Sequence, residues 1–284
     1  MDFLLHIIIL IATTIPLSLG YTFLFGRGKV FHFGPIAVAI TIAYAAFLTL
    51  DATGSFVLAL GAGVIASVVF SLLFAWLSFR LEPDSLGIMT IAMHLAMLNV
   101  ALNWQSLTRG ALGIPNIPRM FFMQSQGAFA FWVTIICIGW IIFFLWLERT
   151  SLARQLTALA EQEWHAKSLG INRIRVHLVA FIILGLTMVN DNFFYPQYLH
   201  LLYPTDYGYP LFITLVMMVV AGKPGSILGA TTATALLVAL KESIRFLPLP
   251  ISVLGPLRLM LFGVILLVAV WVRRDSLFPV KRTI

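Results

Sequence analysis

Asn190, Asp191 and Asn192 interrupt an otherwise apolar run, and they are the first residues whose types could do chemistry. An ionisable side chain at the centre of a membrane-spanning helix costs about 2.5–3.5 kcal/mol to insert and usually faces a bundle interior or water. Three roles are open to the trio: a helix end wetted at the membrane surface, a polar lining for a solute path, or a proton relay. Asp191 lies roughly 24 Å along the helix from Arg175 at about 1.5 Å per residue, toward the far leaflet. The glycines at 26–28 and 222–225 form a second group. They are either tight turns or broken helices whose exposed backbone ends, including Gly222 and Gly225, meet a polar solute.

Other chemistries are missing from the pattern. "GRGKV" and "AGKPG" contain Gly and Lys without the Gly-x-x-x-x-Gly-Lys-Ser/Thr spacing that wraps phosphates, so any ATP and Mg must bind other chains. His6, His32, His94, His165, His177 and His200 form no metal-ligand spacing and read as structural or interfacial. Cys137, the one cysteine, excludes an intrachain disulfide and a cysteine-based metal site. No nucleophile-elbow motif occurs.

The elements that must position these residues are membrane helices. The chain is 61% apolar and only 10% charged, with a mean hydropathy of +1.00. An uncharged apolar run of about 18 residues or more spans a ~30 Å hydrocarbon core. Nine windows qualify or nearly so, at 4–25, 31–50, 56–79, 86–103, 128–147, 175–195, 209–222, 227–246 and 255–272. The window at 209–222 is short enough for a half-helix. The fold class is therefore all-α, a polytopic membrane protein of about eight to nine transmembrane helices in a single domain over 1–284. The N-terminal run lacks a basic n-region and reads as the first helix rather than a cleavable signal. Gly63, Ser67 and Ser71 have the small-residue spacing that lets helices approach closely in lipid.

The net charge of +7 fits cytoplasmic loops rather than nucleic acid. With the 148–175 loop inside, only Arg109, Arg119, Lys241, Arg245 and Arg258 of the 18 basic residues fall outside. Arg273, Arg274, Lys281 and Arg282 then lie inside, giving an outer N-terminus and a cytoplasmic C-terminus. Two long loops remain, an outer one at about 104–127 and the inner one.

The inner loop contains "RQLTALAEQEWHAKSLGIN". Leu152, Leu156, Leu159, Ala160 and Trp164 fall at helical spacing on one apolar stripe, Ser151 can cap the start, and Gly170 can end it. The spacing predicts one helix over about 152–169. It could lie on lipid, act as a solvated connector, or lay its stripe into a groove on another protein.

The segment "SLARQLTALAEQEWHAKSLGINRIRVHLVAF" resembles the cytoplasmic coupling loop of bacterial ABC-importer permeases for branched-chain amino acids. The likeness lies in Ala158, Ala160, Glu161, Glu163 and Ala166, then Leu169, Gly170, Ile171 and Asn172. "SLTRGALGIPNIP", "VMMVVAGKPGSILGA" and "GYTFLFGRGKVFHFGPIAVAITIAY" resemble the outer loop, Gly-rich break and opening block of the family's M-type subunit. The chain departs from it at Gly34-Pro35, at Lys223-Pro224 and at "VNDNFFYPQ".

The resemblance implies an ABC importer permease moving branched-chain amino acids, or urea and short amides, by alternating access in the bacterial inner membrane. It implies two ABC ATPase subunits as partners, contacted around Leu156, Leu159, Ala160, Glu161, Trp164, Leu169 and Gly170. A second permease subunit and a periplasmic or lipid-anchored solute-binding protein complete the assembly, with membrane lipid around it and no nucleic acid. The chain itself carries no cofactor. The alternatives are an ion- or proton-coupled secondary transporter using Asp191, or a membrane-embedded enzyme.

Overall fold

A computed structural model describes residues 2–244 and 251–272. Arg245, Arg273, Arg274, Lys281 and Arg282 lie outside the described residues, as does the side chain of Arg258. α1 (Asp2–Tyr21) continues into a π-helical turn, Thr22–Arg27. There follow α2 (Gly34–Thr53), α3 (Phe56–Arg80), α4 (Pro83–Asn103), the short α5 (Gln105–Thr108) and α6 (Gln126–Leu147). After them come α7 (Ser151–Glu161), α8 (Glu163–Ser168), α9 (Arg173–Leu199), α10 (Tyr209–Ala221), α11 (Ile227–Ser243) and α12 (Ile251–Val272). β1 (Ile114–Pro115) and β2 (Leu201–Leu202) pair antiparallel.

α1 with its π turn, α2, α3, α4, α6 and α9 are six helices long and apolar enough to cross a membrane. The last three sequence windows also hold helices, but α10 has only 13 residues and α11 only 17. Among the described residues six helices thus meet both criteria, and with α10, α11 and the 22-residue α12 the architecture is broadly consistent with the eight to nine read from the windows.

Side-chain contacts fix the two ends of the bundle. Gln126 Nε2 donates to Asp2 O at 3.1 Å, so α1 and α6 start together. Arg27 Nη2 meets Glu148 Oε1 at 2.6 Å, so they finish together at the end that carries α7 and α8. Arg173 Nη2 donates to Ser78 O at this same end. At the opposite end the loop after α4 is a set of short turns with the β1–β2 ribbon. Arg119 holds it to α9 by donating to Gln197 O and Tyr198 O.

α9 packs against α1, α2 and α3, and small residues make that approach. Gly185 of α9 sits over Ser67 and Ser71 of α3, where a Cβ would overlap both hydroxyls. Gly63 of the same row faces Ile42 and Ala46 of α2. Gly20 of α1 sits equally close to the Thr187 hydroxyl of α9. Lipid supplies no hydrophobic drive between helices, so such close packing carries the association.

The two glycine breaks meet each other. A Cβ on Gly26 would overlap the backbone of Pro224 and Gly225. A Cβ on Gly222 or Gly229 would overlap the backbone of the other, at the joint between α10 and α11. Gly225 has φ +84°, and Lys29 and Lys223 also take positive φ, a conformation that costs non-glycine residues.

Gly229→Ala would force the α10–α11 joint apart, and overpacking of this kind costs about 1–3 kcal/mol. Gly139→Ala enters open space and should be neutral or better. Thermal unfolding in detergent should show a lower midpoint for Gly229→Ala only; equal midpoints would contradict the backbone contact.

Candidate functional site

The inner loop folds as two helices, not the single one expected over 152–169. The apolar stripe of α7 is Ala153, Leu156 and Leu159, all buried. The next positions on that face are Gln162 and Glu163, which cannot continue it, and Gln162 leaves helical geometry at φ −147°, ψ 89°. α8 restarts on a new anchor, Ala166, which is 2% exposed. Two of its side-chain bonds are local: Gln162 to His165, and Lys167 Nζ to Glu163 Oε1 at 2.6 Å.

The break redistributes the predicted coupling residues. Leu156 touches Gly28, and it is fully buried, so together with Leu159 it is used inside this chain and offers no stripe to a partner. Trp164, expected on the same stripe, is 82% exposed, and Leu169 is 81% exposed. Glu161 and Gly170 are exposed and Ala160 is half-buried.

Gly170 at φ +81° turns the chain out of α8. The Gly170 and Ile171 amides donate to Lys167 O and Ala166 O, and Asn172 Oδ1 then accepts from Arg175 N to cap α9. Arg173 holds the hairpin down, bonding Glu163 at 3.0 Å with its guanidinium over the Phe79 ring. A cleft of roughly 510 Å³ opens beside it, lined by Phe79, Lys167, Gly170, Ile171, Asn172, Arg173 and Ile174. Trp164, Leu169 and Ile174 are each exposed at this end.

The candidate path residues separate. Asn190 and Asn192 are buried within the chain's own bundle. Asn190 Nδ2 donates across to Thr13 O of α1 at 3.1 Å, and Asn192 Nδ2 donates to Met188 O. Asn190 thus ties α9 to α1 while its Oδ1 is unpaired, and Asn192 bonds only its own helix. Asp191 is half-buried, with Thr13 and Lys241 the favourable neighbours of its carboxylate. The place of a Cβ on Gly222 is filled by the backbone of Gly229, whereas Gly225 has room for one but takes φ +84°.

Sequence reasoning missed the residues around 28–33. There the chain breaks between the π turn and α2 while still inside the bundle: His32 is 1% exposed and stacks on Phe181 and Phe74. Pro35, at the start of α2, was the available signal, since proline favours the first turn of a helix. Among the described residues, no three His, Cys, Asp or Glu come together in a way that could hold a metal.

The description "branched-chain amino acid transport system / permease component" matches residues 3–270 of the chain. No curated protein and no solved structure matches it.

Hydrogen bonding from Lys167 holds the Glu163 carboxyl below its ordinary value of 4.5, with Arg173 adding to the effect and partial burial opposing it. A depressed folded value means the tether is complete above the ordinary carboxylate range and fades as pH falls through the lower folded value. Glu163→Gln should lower hydrogen-exchange protection of residues 163–170 several-fold at pH 7. Acid should do the same to the wild type, modestly, because the pair is largely solvated. Equal protection of the two proteins at pH 7 would contradict the tether.

Proposed function

The chain belongs to the permease components of branched-chain amino acid transport systems, and from that premise we propose that it is the membrane subunit of an ATP-driven importer. The observation that carries this reading is the division of labour in the α7–α8 hairpin. One set of residues, Ala153, Leu156, Leu159 and Ala166, is buried in the chain itself. Another set, Trp164, Leu169 and Ile174, is left bare. A hairpin bolted to its own bundle and apolar on its outer surface suits a lever pulled by another protein.

The hairpin end is then cytoplasmic, and the α1 start and the β1–β2 ribbon face the periplasm. The C-terminus lies inside with the end of α12. Two ATPase subunits hold ATP and Mg, since this sequence has no phosphate-wrapping loop. A second permease subunit and a secreted binding protein complete the assembly in a bacterial inner membrane. ATP-driven closure of the ATPases moves α7 and α8. Leu156 passes that movement to Gly28, at the break beside the Gly26–Gly225 contact. Release requires that the solute be held less tightly in the inward-open state. Solutes are branched-chain amino acids or small relatives such as urea and short amides. A proton-coupled carrier using Asp191 would leave the bare hairpin surface without a role.

Trp164→Ala with Leu169→Ala should weaken capture of the ATPases by a few kcal/mol, as truncating central apolar anchors does, while the permease inserts and melts normally. Leu156→Ala should instead destabilise the permease by about 2–5 kcal/mol. Pull-down and thermal melting of the three proteins check both; unchanged ATPase capture by the double variant would contradict the docking surface.

Transport by the whole assembly should require ATP and survive a protonophore. Uptake that persists without the ATPases and collapses with the proton gradient would contradict the importer reading.

A further inference from the structure

His94 stands in the middle of α4, fully buried, and neither of its ring nitrogens has a hydrogen-bond partner. An imidazole always carries at least one N–H. Leaving a buried polar group unpaired is costly, and native structures rarely do so without a reason. The ring meets Tyr209, the first residue of α10, edge-on at a centroid distance of 5.8 Å.

Two helices begin at this depth. Phe33, immediately before α2, packs against Tyr209 at 6.3 Å and Phe212 at 4.4 Å. Its amide donates to Thr90 Oγ1, one turn from His94 on α4. α3, α6, α9 and α11 each start on a side-chain cap, from Ser55, Ser125, Asn172 and Ser226. The start of α2 is satisfied internally by Thr90 and by His32 Nδ1, which accepts from Gly34 N. α10 starts at Gly208 with no side-chain cap, as α4 and α7 also do, but α10 does so beside His94. The N-terminus of a 13-residue helix carries partial positive charge, and although Gly208 N and Leu211 N are bonded locally and Pro210 has no N–H, the Tyr209 amide is left open. It stands beside a buried ring that also has a donor to give, and neither α4 nor α10 contains Lys or Arg.

We propose that His94 and the first turn of α10 form a subsite for the carboxylate of the transported solute. The proposal rests on the transport reading above. Discontinuous helices whose N-termini address an anionic substrate group near the bilayer midplane are a general device of transporters. Recognition by neutral and backbone donors suits a small zwitterion, whose single carboxylate needs orientation rather than a counter-ion. Tyr209, more than a third exposed, covers His94 in this structure and is the side chain that must move to admit the solute.

The test uses the whole assembly in proteoliposomes with leucine and leucinamide as probes. His94→Ala should raise the leucine concentration for half-maximal uptake at least tenfold. Leucinamide, which lacks the carboxylate, should show no comparable rise. His94→Asn keeps an N–H donor and should retain most of the leucine affinity. Gly208→Asp supplies an internal carboxylate cap, which strengthens the helix start. A Cβ there lies 3.3 Å from Thr205 O, so the melting temperature should change little while leucine uptake falls. Wild-type leucine dependence in His94→Ala, equal losses for leucine and leucinamide, or undiminished uptake by Gly208→Asp would overturn the subsite. A wild-type assembly that moves no carboxylate-bearing probe would overturn the transport reading, and the subsite with it.

Discussion

The close approach of Gly26 to Gly225 is the constraint on which the rest of the bundle depends. The two interrupted helices touch backbone to backbone because Gly26 carries no side chain, while Gly225 is held to glycine by its φ of +84°. That single requirement places the end of α1 against the α10–α11 joint, where Gly222 and Gly229 make a second contact of the same kind. In lipid, where apolar side chains gain little by leaving the solvent, approach at this distance supplies dispersion that larger residues would forfeit. The left-handed backbone of Gly225, and of Lys29 and Lys223 beside it, follows from turning both chains back within a few residues.

The α7–α8 hairpin is attached at the same place. Leu156 reaches Gly28, and the Arg27–Glu148 pair ties the π turn to the end of α6. The hairpin's second footing is Arg173, which links Glu163 to the end of α3 through Ser78 O. A displacement of the hairpin therefore acts on the α1–α2 break and on the feet of α3 and α9 together. In the proposed importer this is how a motor on another chain reaches the middle of the membrane. The α1–α2 break continues through Phe33 to Tyr209 and His94, at the starts of α2 and α10.

The architecture was largely legible because length and apolarity are local properties. Each of the nine windows holds a helix, and the small-residue row at Gly63, Ser67 and Ser71 does face neighbouring helices. The hairpin was legible only in part. Periodicity showed an amphipathic segment, but it cannot say which surface an apolar stripe will cover, and Leu156 and Leu159 turned out to serve their own chain. Trp164 was placed on the wrong face because one helix was assumed through Gln162, where two polar residues end the stripe. The trio at 190–192 looked functional by polarity alone. Asn190 finds its partner in Thr13, 177 positions away in sequence, and no local pattern encodes such a pairing. His94 was passed over for the opposite reason, since a lone histidine in an apolar run acquires meaning only from Tyr209 and Phe33 around it.

The importer account comes down to which face of the hairpin meets another protein. A photo-reactive amino acid placed at position 164, and separately at position 156, in membranes holding the assembled transporter tests it most directly. The account predicts adducts to an ATPase subunit from position 164 and only intrachain products from position 156. Position 164 reacting with lipid alone, or ATPase adducts arising from position 156, would contradict it.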